Sequence, residues 1–191
     1  MKAAQSRRDI RGALAKAYEA TFPLRVEVFR AARWARWLRD ASRFATERDA
    51  HGNAHPCLLF EHQAPLIRPL KDCPIELQYG KIQNLRLACG RLNGIVVHPG
   101  QVLSFCYLVG RTTKRRGYTY GLEMHHGRLL AAIGGGLCQL SNLIFWIGLH
   151  LGMEVVERHR HGFDLFPDVE RTVPFGAGAT VFYNYVDLQL R

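Results

Sequence analysis

The chain has no hydrophobic run fit to cross a bilayer: glycines, polar residues or charges interrupt every apolar stretch short of the roughly 20 residues a spanning helix needs. No apolar segment follows the basic start at residues 1–10 either, so no secretory signal is expected. Acid is scarce, with 16 Asp and Glu against 26 Lys and Arg and a formal net charge of +10. That balance suits an anionic membrane surface, an acidic polymer or a nucleic acid, and a solvated basic surface as the plainest outcome. No nucleic-acid-binding motif accompanies the charge, which ranks nucleic acid last. Cysteine is sparse and irregular: five residues, an odd number at wide spacings without a Cys-x-x-Cys pair, give neither a zinc knuckle nor a disulfide framework. Such usage fits a reducing compartment, so a cytoplasmic location is expected, peripheral to the inner face of the membrane. No cofactor is expected.

What is present is ordinary globular material, 48% hydrophobic and 22% charged, enough for one domain with an extension. The basic excess is uneven, because residues 1–50 hold twelve Lys or Arg and six Asp or Glu, a net of +6. Residues 9–20 are rich in helix formers and Pro23 breaks that segment. A second helix is predicted from Leu24 to Glu47, with Trp34, Trp37, Leu38, Ala41, Phe44 and Ala45 on one face and Arg30, Arg33, Arg36, Arg39 and Arg43 on the other. Tryptophan opposite arginine suits either a helix docked on its own domain or one resting on an anionic membrane through residues 24–47. Residues 49–56 read as a connection, and His51, His55 and His62 as solvent-exposed.

Short strand-like pieces are expected at 57–60 and near Ile67, with an irregular stretch to Pro74. A helix follows over 77–92, its stripe formed by Ile82, Leu85, Ala88, Cys89 and Leu92. Strands are expected at 95–97 and 101–109, the latter enclosing Cys106. A basic loop over 110–117 carries Arg111, Arg115 and Arg116, suited to holding a carboxylate or phosphate. Residues 118–123 and 128–133 read as a hairpin turning at His125-His126-Gly127, and 153–161, 172–175 and 179–190 as later strands around a loop at 163–171. The fold class is therefore α+β: a single mainly β domain, residues 55–191, around one central helix, preceded by a basic helical extension, residues 1–50.

That central helix begins in the stretch Ile133-Gly134-Gly135-Gly136-Leu137-Cys138-Gln139-Leu140-Ser141-Asn142. Glycines permit positive φ and close approach, and a helix start offers unsatisfied N–H groups and a positive dipole end. A thiol there has its thiolate favoured, although a free cysteine is more often a small buried hydrophobe. With period two, Met153, Val155, Glu157, His159 and His161 share a strand face, and the chain's reach lets His159 or His161 approach Cys138.

Together these pieces resemble the VanW family: Leu92-Asn-Gly94, Pro99-Gly-Gln-Val-Leu-Ser-Phe105, Val109-Gly110, Gly117-Tyr118, Gly134 to Asn142, Glu157-Arg-His-Arg-His161, and a terminal Gly-x-Gly-Ala-Thr-Val with Asp187-Leu188. The resemblance covers residues 55–191 and is to the short, signal-less members. It implies a link to glycopeptide resistance and the cell envelope, without an assigned biochemical activity. Where the family pattern reads Asp-Ala-Thr, this chain has Gly178-Ala179-Thr180, so an aspartate that would orient a histidine or bind a ligand is either lost here or replaced by Asp187 or Asp164.

Three site chemistries follow. In a cysteine-dependent enzyme acting on an amide or acyl group of a peptide or cell-wall precursor, Cys138 is the nucleophile, His161 or His159 the base, and Gln139 with the turn's N–H groups the oxyanion donors. In a binding module, Gly134, Gly135, Gly136, Ser141 and Asn142 with Arg111, Arg115 and Arg116 receive a wall peptide or anionic precursor. A metal site from Cys138, His159, His161 and the His125-His126 turn has suitable ligands but no diagnostic spacing, so no metal is expected.

Overall fold

The computed structural model describes residues 18, 20–49, 57–67, 74–125, 128–160 and 177–191. The chain forms two compact units, Met1–Arg39 and Asp40–Arg191. The first contains α1, Phe22–Arg39, whose buried residues are Val26, Arg33 and Trp37. Arg33, expected on the basic side, is thus buried with Trp37, and α1 stops eight residues short of Glu47. A 3-10 turn, Ala41–Arg43, follows.

The helix stops because the next residues find backbone partners elsewhere in the second unit. Val102 N–H donates to the Arg43 carbonyl at 2.7 Å and Ala45 N–H to the Val102 carbonyl at 3.0 Å. Val96 N–H reaches the Glu47 carbonyl at 3.0 Å and Asp49 N–H the Gly94 carbonyl at 2.8 Å. Tertiary pairing overrides local helix propensity here. The Arg48 guanidinium then donates to the carbonyls of Gly90, Arg91 and Asn93, groups that a helix end leaves without partners.

The second unit is α+β. Its elements are α2 (Ile75–Leu92), β1 (Leu103–Ser104), α3 (Phe105–Val109), β2 (Tyr120–His125), β3 (Arg128–Ile133), α4 (Leu137–His150), β4 (Val155–Glu157) and β5 (Gln189–Leu190). The hairpin β2–β3 runs in register from Tyr120↔Ile133 to His125↔Arg128. A second, antiparallel sheet has the order β1-β5-β4.

Its strands are much shorter than the expected ones. Residues 95–97 contribute only a bridge from Ile95 to Arg48, and 57–67 form no strand. The run 179–190 folds back at a tight turn where Phe182 pairs with Val186, so only Gln189–Leu190 remains as strand. Residues 9–17, 51–56 and 161–176 lie outside the described residues, and with them the expected loop at 163–171 and strand at 172–175.

The stretch 101–109 becomes helix after Ser104 because polar groups cap it. Ser104 Oγ accepts from Tyr107 N–H at 3.1 Å, the usual N-cap role. Asp187, with no exposed surface, accepts from Ser104 Oγ at 2.5 Å, Cys106 N–H at 2.8 Å, Leu188 N–H at 2.9 Å and Gln189 Nε2 at 3.0 Å. One carboxylate thus ties the end of the chain to the start of α3. Cys106 is buried as expected, its thiol directed at the Val186 carbonyl at 3.6 Å. Around this knot pack Leu85 and Ala88 of α2, Phe105 and Val109 of α3, Leu137, Leu140 and Phe145 of α4, and Leu188 and Leu190. Cys89, expected in the α2 stripe, is exposed instead.

Candidate functional site

The Gly-rich turn is gripped from several sides. Gly134 and Gly136 take φ of 80° and 97°, values that L side chains rarely adopt. Gly134 N–H donates to the Thr119 carbonyl and Gly135 N–H to the Ala132 carbonyl, both at 3.0 Å. Gly135 packs backbone against backbone on Gly121 of β2, where a Cβ on either would collide. The aliphatic stem of Lys81 lies against Gly136 and Thr112 of the basic loop against Gly134.

Beneath the turn sits Asn84, with no exposed surface, donating to the carbonyls of Thr119 and Gly135 at 3.0 Å each and accepting from Thr119 N–H at 2.9 Å. Gln78, Lys81 and Asn84 are buried on the α2 face that continues as Leu85 and Ala88. Sequence reading passed over these three. The available signal was their three-residue spacing in line with Leu85 and Ala88, which makes a polar half to the buried face.

Cys138 stands in the first turn of α4, its thiol directed at the Val181 carbonyl at 3.8 Å. Burial pushes the thiol up to about 11; the Val181 contact opposes this and the Glu123 charge adds to it. Desolvation thus outweighs the helix-start effect expected to favour thiolate. The His159 imidazole, half exposed, lies 3.3 Å from Glu157 Oε1, and its own carbonyl accepts from Thr180 N–H at 2.8 Å. Residues 180–181 therefore bond to His159 through one backbone group and to Cys138 through another. Among the described residues no hydrogen bond joins the His159 imidazole to the Cys138 sulfur. His161 lies outside the described residues.

Ser141 Oγ donates to the Ala179 carbonyl at 2.6 Å and Asn142 Oδ1 accepts from Ala179 N–H at 2.7 Å, so both clamp residues 178–181 onto α4. A Cβ at Gly178 would come within 2.9 Å of Asn142 Oδ1. Asp187 is committed to the β5–α3 knot, and Asp164 lies outside the described residues. Arg116 donates to the carbonyls of Arg111 at 2.8 Å and Val109 at 3.0 Å and so closes its own loop. Arg111 and Arg115 are exposed.

Gln139 Nε2 donates to the Pro65 carbonyl at 2.8 Å. Further along α4, Phe60 stacks on His150 at 4.1 Å and His62 tilts against Trp146 at 6.3 Å. Residues 60–65 therefore run along α4 from its end toward its start, which leaves His62 half-buried rather than solvated. Among the described residues no group of three or more His, Cys, Asp or Glu could hold a metal ion.

A half-buried thiol whose pKa desolvation raises should alkylate slowly. At pH 7.5, iodoacetamide should modify the peptide carrying Cys138 at least about a hundredfold more slowly than the one carrying exposed Cys57, with the rate rising toward pH 11. Peptide mapping of the native protein reads both rates; equal rates at pH 7.5 would refute a shielded, protonated Cys138.

The family model described as VanW like protein matches residues 80–191. The chain belongs to the VanW-like family. The match begins inside α2 and takes in the whole Gly-rich turn, α4 and the closing strand. Vancomycin B-type resistance protein VanW of Enterococcus faecalis (strain ATCC 700802 / V583) is 36% identical over 136 residues, 71% of this chain and 50% of that protein. Uncharacterized protein YoaR of Bacillus subtilis (strain 168) is 30% identical over 111 residues, 56% of this chain and 34% of that protein. The chain thus spans half or less of the curated relatives it matches. No solved structure matches it. Among the described residues of this VanW-like chain, no helix is long and apolar enough to cross a membrane.

Proposed function

We propose that this VanW-like chain is a non-catalytic module that binds a wall peptide or an anionic cell-wall precursor on the cytoplasmic side of the envelope. The observation that carries the reading is the contact of Thr112 with Gly134, which brings the loop of Arg111 and Arg115 against the Gly-rich turn. The start of α4 has Gly136 as its N-cap and, among the described residues, no side-chain cap hydrogen bond, the arrangement that receives carboxylates and phosphates. Exposed arginines beside it supply forked, permanently charged donors. Cys138, held neutral by burial, acts here as a small packing residue. The relative named for vancomycin B-type resistance supports the envelope as the setting.

Titration calorimetry with a nucleotide-linked wall pentapeptide tests this. The wild-type chain should bind it with an affinity that weakens as salt rises. Arg111→Ala with Arg115→Ala should weaken binding by at least about tenfold, the loss of two charge-assisted contacts. Cys138→Ser should change the affinity by less than about threefold, because the thiol is directed at the Val181 carbonyl and a hydroxyl keeps that contact. Absence of binding, or turnover of the precursor that Cys138→Ser abolishes, overturns the reading, the latter in favour of a cysteine-dependent amide or acyl-group enzyme.

A further inference from the structure

Among the described residues, α1 carries an exposed apolar stripe. Leu24, Val28, Ala31, Ala35 and Leu38 follow one another at alternating spacings of four and three residues, which aligns them along one side of a helix. All five are exposed, with Leu24, Val28 and Leu38 at 68%, 60% and 77%. The buried residues Val26, Arg33 and Trp37 occupy the opposite side. The helix therefore has two apolar faces, and the outer one is not the face read from the tryptophans.

The borders of the stripe carry the charge. By helical spacing Arg25, Arg36 and Arg39 lie along one border. Trp34 marks the other, 49% exposed and edge-on to Trp37 at 5.2 Å. Glu27, the sole acid of α1, is bonded to Arg30 at 2.5 Å. A second copy of α1 laid on the stripe would set arginine against arginine, with that acid already neutralised. An anionic lipid surface presents the opposite charge to those arginines and acyl chains to the leucines.

We propose that α1 docks in the plane of an anionic phospholipid surface, with Leu24, Val28, Leu38 and Trp34 among the acyl chains and Arg36 and Arg39 at the headgroups. A helix of this length and charge lies on the bilayer rather than through it. Docking is independent of the precursor site, so each stands or falls separately.

Flotation of the full chain with vesicles of phosphatidylcholine alone, or mixed with phosphatidylglycerol, tests it. The wild type should float with the mixed vesicles only, and less as salt rises. Val28→Glu with Leu38→Glu, and separately Arg36→Glu with Arg39→Glu, should each lower the bound fraction by at least about tenfold. Circular dichroism on each variant checks that the helical signal is kept, since all four positions are exposed. The proposal is overturned if the wild type stays unbound or floats equally with both vesicles. Sedimentation velocity showing a dimer that Val28→Glu with Leu38→Glu dissolves, with vesicle binding unchanged, assigns the stripe to a second copy and overturns it equally.

Discussion

Replacing Asp187 with alanine should destabilise the chain by about 3–5 kcal/mol, a large part of the total stability of a domain this size. The carboxylate has no exposed surface and accepts hydrogen bonds from Ser104 Oγ, Gln189 Nε2 and the backbone N–H groups of Cys106 and Leu188. Alanine removes every acceptor and leaves those N–H groups buried without partners, the costly way to lose a hydrogen bond. It also cuts the tie between the end of the chain and the cap of α3. Chemical denaturation of wild type and variant measures the difference; a loss under about 1 kcal/mol would show that water replaces the carboxylate.

The same group sets a pH dependence. Burial raises the folded-state pKa of Asp187, opposed by the bonds from Ser104, Cys106 and Gln189 and reinforced by the Glu157 charge. A folded pKa above the unfolded one means that the folded state binds the proton more tightly. The stabilisation is complete below the unfolded carboxylate value and is lost as pH rises through the folded one. Asp187→Asn has no such titration. Melting temperatures of the two proteins should therefore move relative to one another, in favour of the asparagine variant, as pH climbs above the ordinary carboxylate range.

The parts of the fold that the sequence made legible were those with strong local codes. The hairpin before Gly134, the start of α4 at Leu137 and the stop of α2 at Asn93-Gly94 depend on turn glycines and periodic apolar residues. The strand expected over 101–109 depended on a distant group: Asp187 holds Cys106 N–H and so favours helix where β-branched and aromatic residues suggest strand. Arg48 likewise acts on the end of α2 from beyond the end of α1. In the candidate site, the turn and its neighbouring basic loop were legible from glycine and charge. The state of Cys138 was not, because it depends on how residues 178–181 cover the thiol, and Ser141 and Asn142 fix that from α4. Gln78, Lys81 and Asn84 escaped because a polar residue in a helix is ordinarily read as solvent-facing.

Gly135→Ala should cost about 3–5 kcal/mol, enough to prevent stable folding. Its backbone is not of the positive-φ kind, so the cost is steric. The new Cβ would be driven into the Gly121 carbonyl, and backbone on both sides leaves nothing flexible to move aside. Parting β2 from the turn would also pull Gly135 and Thr119 away from Asn84, breaking one buried and two part-buried bonds. Two glycines provide controls on the methyl itself. Gly90, inside α2 with open space around its would-be Cβ, should gain about 0.5–1 kcal/mol as alanine from helix propensity. Gly100, equally open but at φ of 81°, should lose about 1 kcal/mol from backbone strain alone. Thermal denaturation of the three variants ranks them. If Gly135→Ala fell no further than Gly100→Ala, the backbone contact between the turn and β2 would be looser than its geometry states. The Gly-rich turn would then owe its shape to Gly134 and Gly136, not to the strand beneath it.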